Sequence, residues 1–109
     1  MTTQTTTQEH TLTVGDVLVS RWGYEQTNVD FYEVTRATPK TVLLRPIMAH
    51  REQGEAFGHY YVVPDRGQFI AGPRRYKVHL MNGEPFVMIK SFATAAKWSG
   101  ATVHGTDYA

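Results

Sequence analysis

Apolar and polar residues alternate with a period of two along most of this chain, which predicts strands rather than helices. The first predicted strand covers residues 11–21. In it Leu18, Ser20 and Trp22 share one face, and Val17, Val19 and Arg21 share the other. Gly15-Asp16 ahead of the apolar run predicts a turn or bulge, because glycine permits sharp curvature. A second strand is predicted at residues 30–37, with Tyr32 and Val34 inside and Asp30 and Arg36 at its two ends. Thr38-Pro39-Lys40 reads as a turn, with proline presetting its φ. The third strand, residues 41–47, carries Val42 and Leu44 on one face and Leu43, Arg45 and Ile47 on the other. So short a link makes the second and third strands a hairpin.

Residues 50–58 are polar and contain glycine, so an exposed loop is expected there. Residues 59–63 read as a short strand stopped by the turn signal Pro64-Asp65-Arg66-Gly67, and residues 68–73 as irregular. At 74–81 the alternation is clear again, Tyr76, Val78 and Leu80 against Arg75, Lys77 and His79. Asn82-Gly83 is a hairpin dipeptide because both residues tolerate positive φ, and Pro85 is expected to lengthen that loop. Residues 86–92 return as the partner strand. The alanine-rich residues 93–98 are expected to form one helical turn stopped near Gly100, and residues 103–108 a last short strand. The reading is a mainly β chain of five or six strands with at most one short helix. It forms a strongly bent antiparallel sheet or an SH3-like or other small barrel; an open antiparallel sheet with a short helix is the alternative.

A length of 109 residues with 41% apolar and 19% charged residues suits one globular unit. It is placed at residues 11–109, behind a Thr/Gln-rich polar leader at residues 1–10. The absence of cysteine excludes disulfide and thiolate chemistry. No apolar run approaches the ~20 residues that cross a bilayer. The leader has neither the basic residue nor the apolar core of a signal peptide, so a cytoplasmic protein without membrane contact is expected.

The formal charge of +1 conceals an uneven distribution. Glu9, Asp16, Glu25, Asp30 and Glu33 face one base, Arg21, in the first third of the chain. Arg66, Arg74, Arg75, Lys77, Lys90 and Lys97 face one acid, Glu84, later on. A local basic patch is what an anionic partner would feel.

The candidate chemistry is that of binding rather than catalysis. His10, His50, His59, His79 and His104 contain no i,i+4 pair and have no cysteine beside them, so neither a metal nor another cofactor is expected. No Gly-x-Ser-x-Gly elbow and no phosphate-binding glycine loop is present. Glu25, Asp30 and Glu33 could supply a hydrolase's acid and base, but Asp30 and Glu33 have opposite parity and should point apart. Residues 22–34 instead interleave rings with amides and carboxylates. Trp22, Tyr24, Gln26, Thr27, Asn28 and Asp30 are therefore the expected binding face; alternatively, Asn28 and Asp30 tie off backbone N–H groups in a long loop. Arg74, Arg75 and Lys77 surround Tyr76 as a separate basic edge, which suits nucleic acid unless it is simply the solvated side of a strand. Trp, Tyr and Arg equally suit a protein interface.

Val14-Gly15-Asp16-Val17-Leu18 followed by Trp22-Gly23-Tyr24-Glu25-Gln26-Thr27-Asn28-Val29-Asp30-Phe31-Tyr32-Glu33-Val34 resembles a group of small proteins encoded by bacteriophages, plasmids and other mobile elements. The ending Ser91-Phe92-Ala93, Trp98-Ser99-Gly100 and Thr106-Asp107-Tyr108-Ala109 is similar to the close of that group, where an aspartate is expected in place of Ser99. The likeness spans residues 14–109. It implies an accessory protein acting on host nucleic acid, on a host nucleoprotein or on another host protein that it inhibits. It implies no catalytic residues.

Overall fold

The structure is a computed structural model that describes residues 10–23, 26–54 and 57–106. Every regular element among them is a strand, and every pairing is antiparallel. The strands are β1 (Val17–Trp22), β2 (Asn28–Ala37), β3 (Thr41–Gln53), β4 (His59–Phe69), β5 (Arg74–Met81), β6 (Glu84–Lys90), β7 (Ala93–Lys97) and β8 (Val103–Thr106). Six of them follow one another as β2-β1-β7-β6-β5-β3, and β3 pairs back onto β2 to close a ring. The strongly bent antiparallel sheet is thus present, with more strands than the five or six expected.

β3 is the strand on which the others converge. Leu44 faces Val34 of β2 on one edge and Arg74 of β5 on the other; Ile47 faces Phe31 of β2 and Phe69 of β4. One residue cannot pair with two strands on the same edge. β2 therefore holds one edge, while β5 and β4 follow one another along the other. Both faces of this wall carry apolar side chains. Leu18, Val34, Val42 and Leu44 turn into the ring with Val87 and Ala95. Val17, Phe31 and Ile47 turn the other way and meet Tyr60 and Val62 of β4, with Trp98 and Val103 alongside. Two cores thus lie back to back on β1, β2 and β3. β8 completes the second by pairing with β4 and reaching Thr27, whose carbonyl accepts from Thr106 N at 3.0 Å.

Five sequence expectations are corrected. Residues 50–53 extend β3, because β4 pairs with them from His50↔Val63 to Gln53↔Tyr60; their polar character belongs to an exposed strand. The turn signal at 64–67 does not end β4. Between Ile47↔Phe69 and Ala49↔Pro64 the register advances two residues on β3 and five on β4, so the signal is absorbed as an irregularity inside the strand. Pro85 does not lengthen the following hairpin: Met81 pairs with Glu84, leaving a two-residue turn with Asn82 at φ 53° and Gly83 at φ 82°. Residues 93–97 are a strand, not a helical turn. Ala93 and Ala95 are 4% and 0% exposed between β1 and β6, where small side chains let the ring close; pairing overrides alanine's helical preference. His10, assigned by sequence to the polar leader, is buried: its Nδ1 accepts from Leu12 N, so its Nε2–H donates to Thr38 O at 2.8 Å.

Gly105 shows how tightly the second core is built. A Cβ there would collide with the ring of Tyr60, whose hydroxyl donates to Thr27 O at 3.0 Å. Gly105→Ala should therefore destabilise the protein by about 1–3 kcal/mol, the usual cost of overpacking. Gly72→Ala, whose Cβ would meet nothing within 4 Å, should leave Tm unchanged. Thermal unfolding of both variants checks this, and equal Tm values would overturn the tight packing of Gly105 against Tyr60.

Candidate functional site

The two ends of the ring differ. Leu12, 0% exposed, plugs the end near the β2–β3 turn, and the chain after it is fixed by Gly15 N donating to Val34 O at 2.8 Å. At the other end lie the C-terminal ends of β1 and β6, the N-terminal ends of β2, β5 and β7, and the middle of β3. That end opens into a cleft of about 450 Å³ lined by Tyr32, Leu44, Pro46, Pro73, Arg74 and Tyr76, with Ala71 and Gly72 at its edge.

Part of the expected binding face gathers at this end. The indole Nε1 of Trp22 donates to Asp30 Oδ2 at 2.7 Å, so Asp30 serves a side chain rather than the backbone N–H suggested as its alternative. Lys90 Nζ lies 5.1 Å from the centre of the Trp22 ring and 5.7 Å from that of Phe92, and the two rings are 5.9 Å apart. Phe92 remains 65% exposed. Gly23 turns the chain out of β1 at φ 130°, where a Cβ would collide with Gln26 O. Gln26 Nε2 donates to Asn28 Oδ1 at 3.3 Å. Thr27 has a structural role through its backbone: its N–H donates to Thr106 Oγ1 at 2.7 Å and its carbonyl receives Tyr60. Tyr24 and Glu25 lie outside the described residues.

The expected basic edge divides. Arg74 is on the ring side of β5 with Tyr76, in the cleft, whereas Arg75 and Lys77 are on the outer side. A bulge adds a residue that parity had placed elsewhere. β2 and β3 pair as Val34↔Leu44 and then Arg36↔Leu43, so Thr35 is extra and Arg36 is re-aimed outward. Arg36, Leu43 and Arg75 then form one row across three strands, with Thr41↔Lys77 in the next. Lys40 joins Lys77 beyond it, both lining a smaller cleft with His10 and Pro39. None of Arg36, Lys40, Arg74, Arg75 and Lys77 makes an ion pair among the described residues; Arg75 Nη1 donates to Thr41 Oγ1 at 3.3 Å. Arg36, Lys40 and Phe92 are the residues that sequence reasoning missed, with Lys90 counted only among the later bases. Nothing local marks them, since a bulge and long-range pairing bring them in.

The remaining titratable groups are dispersed. Asp30 and Glu33 face opposite sides of β2, as alternation requires, and Glu33 Oε1 accepts from Gly67 N at 2.9 Å. His59 Nδ1 and His104 Nε2 share a hydrogen bond of 2.6 Å across β4 and β8. No three His, Cys, Asp or Glu side chains converge as metal ligands among the described residues. Among the described residues no helix is long and apolar enough to cross a membrane. No family model matches the chain, and neither a curated protein nor a solved structure does.

The acidity of Tyr32 is moved. Burial first, then the Asp30 carboxylate and the Tyr76 phenol, push it up to about 12. Its hydroxyl is therefore a donor at any physiological pH. Because the unfolded chain releases this proton near 10, the native state's preference for the protonated form is fully present below pH 10 and lost as pH rises towards 12. Absorbance titration at 295 nm should show a late-ionising tyrosine step, and Tyr32→Phe should reduce it by one residue's amplitude. An unchanged late step in the variant would assign it to another residue.

Proposed function

We propose that this chain is a non-catalytic binding module that engages nucleic acid. The observation that carries the reading is the outer row Arg36–Leu43–Arg75 with Lys77 and Lys40 beyond it, cations left without carboxylate partners on a chain of formal charge +1. Unpaired cations aligned on one rigid sheet suit a polyanion, whose counterions are released as they dock. The resemblance to mobile-element proteins supports host takeover or defence evasion in the host cytoplasm as the setting. A second reading, inhibition of a host protein by direct contact, draws on the Trp22–Lys90–Phe92 stack, where a large ring stays exposed beside a cation.

Fluorescence anisotropy with labelled oligonucleotides over a range of salt tests the first reading. Affinity should fall linearly on a log–log scale. The triple variant Arg36→Ala, Arg75→Ala, Lys77→Ala should bind more weakly, with the slope for a single strand reduced by about 2, roughly 0.7 per phosphate contact removed. Salt-dependent binding unaltered in the triple variant would move the interface elsewhere. No binding at low salt would favour the protein-contact reading, for which capture of a host protein lost on Phe92→Ala is the corresponding test.

A further inference from the structure

We infer that the nucleic acid is bound single-stranded, with one unpaired base in the cleft at the open end of the ring and the flanking phosphates on the cations at and outside its rim. This rests on the nucleic-acid reading and narrows it. Two consecutive residues, Arg74 and Arg75, connect the two surfaces. Alternation along a strand sends Arg74 to the ring side of β5 and Arg75 to the outer side, so the start of one strand carries cations over the rim from the cleft to the outer row. The cleft itself is not built for phosphate alone. Its walls are the rings of Tyr32 and Tyr76 with Leu44, Pro46 and Pro73, and Arg74 is its cation. Flat apolar walls with a few polar groups suit a planar heteroaromatic ring, and about 450 Å³ lies within the usual range of roughly 300–1,000 Å³ for small-ligand sites.

Polarity in the cleft is placed to read an edge rather than a charge. The Tyr32 hydroxyl remains protonated and can donate to a base carbonyl or ring nitrogen, while the Arg74 guanidinium can stack or meet phosphate. A duplex cannot use this arrangement, because its bases are stacked and paired inside and would have to leave the helix to enter a cleft on the inner side of a strand ring. A single strand can. Its phosphates follow Arg75, Arg36 and Lys77 on the outside, and one base turns over the rim.

Anisotropy at fixed low salt tests this with a labelled single strand, the same strand carrying abasic sites, and its duplex. The intact strand should bind about tenfold or more tightly than the abasic strand, as expected for one stacked base, and more tightly than the duplex. Two variants are used, neither of which removes a core side chain. Gly72→Leu places a side chain at the cleft edge, where a Cβ meets nothing within 4 Å, and Arg74→Ala removes an exposed cation. Gly72→Leu should erase the advantage of the intact strand over the abasic one while leaving abasic binding unchanged. Arg74→Ala should weaken the intact strand more than the duplex. Equal, salt-dependent binding of all three ligands, or an intact-strand preference that survives Gly72→Leu, overturns the base-in-cleft inference and leaves the outer basic row standing. Absence of binding to all three overturns the nucleic-acid reading as well.

Discussion

One strand hydrogen-bonded on both edges and buried on both faces sets the architecture. β3 accepts β2 along one edge and β5 then β4 along the other, while Val42 and Leu44 fill one core and Ile47 the other. Shifting its register by one residue would exchange both sets at once and strip each core of its side chains, so the wall is tightly specified. From that wall the ring closes towards β5, β6 and β7, and the second core closes towards β4 and β8. The 70–73 segment is where the chain changes from one to the other. Ile70 N donates to Pro46 O at 2.9 Å there, and the open end of the ring lies beside it.

The same wall controls where charge is displayed. The extra residue Thr35, whose hydroxyl donates to Leu43 O at 3.3 Å, rotates Arg36 to the outer side, next but one to Arg75. Two strand spacings separate those two cations, roughly 10 Å, at which unit charges repel in water by about 0.4 kcal/mol. That separation is also about one Debye length at 0.1 M salt. The row is therefore inexpensive to maintain in the free protein, and it is the feature on which the proposed nucleic-acid contact rests. Glu33, on the same side of β2 as Arg36, accepts from Gly67 N at 2.9 Å and makes no ion pair among the described residues.

Much of this was legible in the alternation. The inward set Tyr32, Val34, Val42, Leu44, Tyr76 and Val78 and the Asn82-Gly83 turn follow from period two and from residues that tolerate positive φ. What failed did so where distant pairing decides. Ala93 and Ala95 read as helical until two neighbouring strands claim them, and Pro64-Asp65-Arg66-Gly67 reads as an end until β3 continues past it. The site divided in the same way. Trp22 and Asp30 belong to one motif and do meet, but parity placed Arg36 with Tyr32 and Val34, and a bulge that no residue announces reversed it. Arg74, Arg75 and Lys77 are adjacent in sequence and looked like one edge; strand geometry makes them two surfaces joined at a rim.

The chemistry at the open end bears on the proposed binding role. A general acid or base works best with a pKa near the operating pH. Tyr32, held near 12 by burial and by Asp30, is moved away from that range and acts as a fixed donor. Asp30, the carboxylate closest to it in the motif, accepts the Trp22 indole proton at 2.7 Å, which orients both side chains and uses an oxygen that a hydrolytic water would need. Glu33, the other carboxylate that alternation brings into question, lies on the opposite side of β2. Rings, one protonated hydroxyl and a cation are left, the set on which the proposed base-in-cleft contact rests.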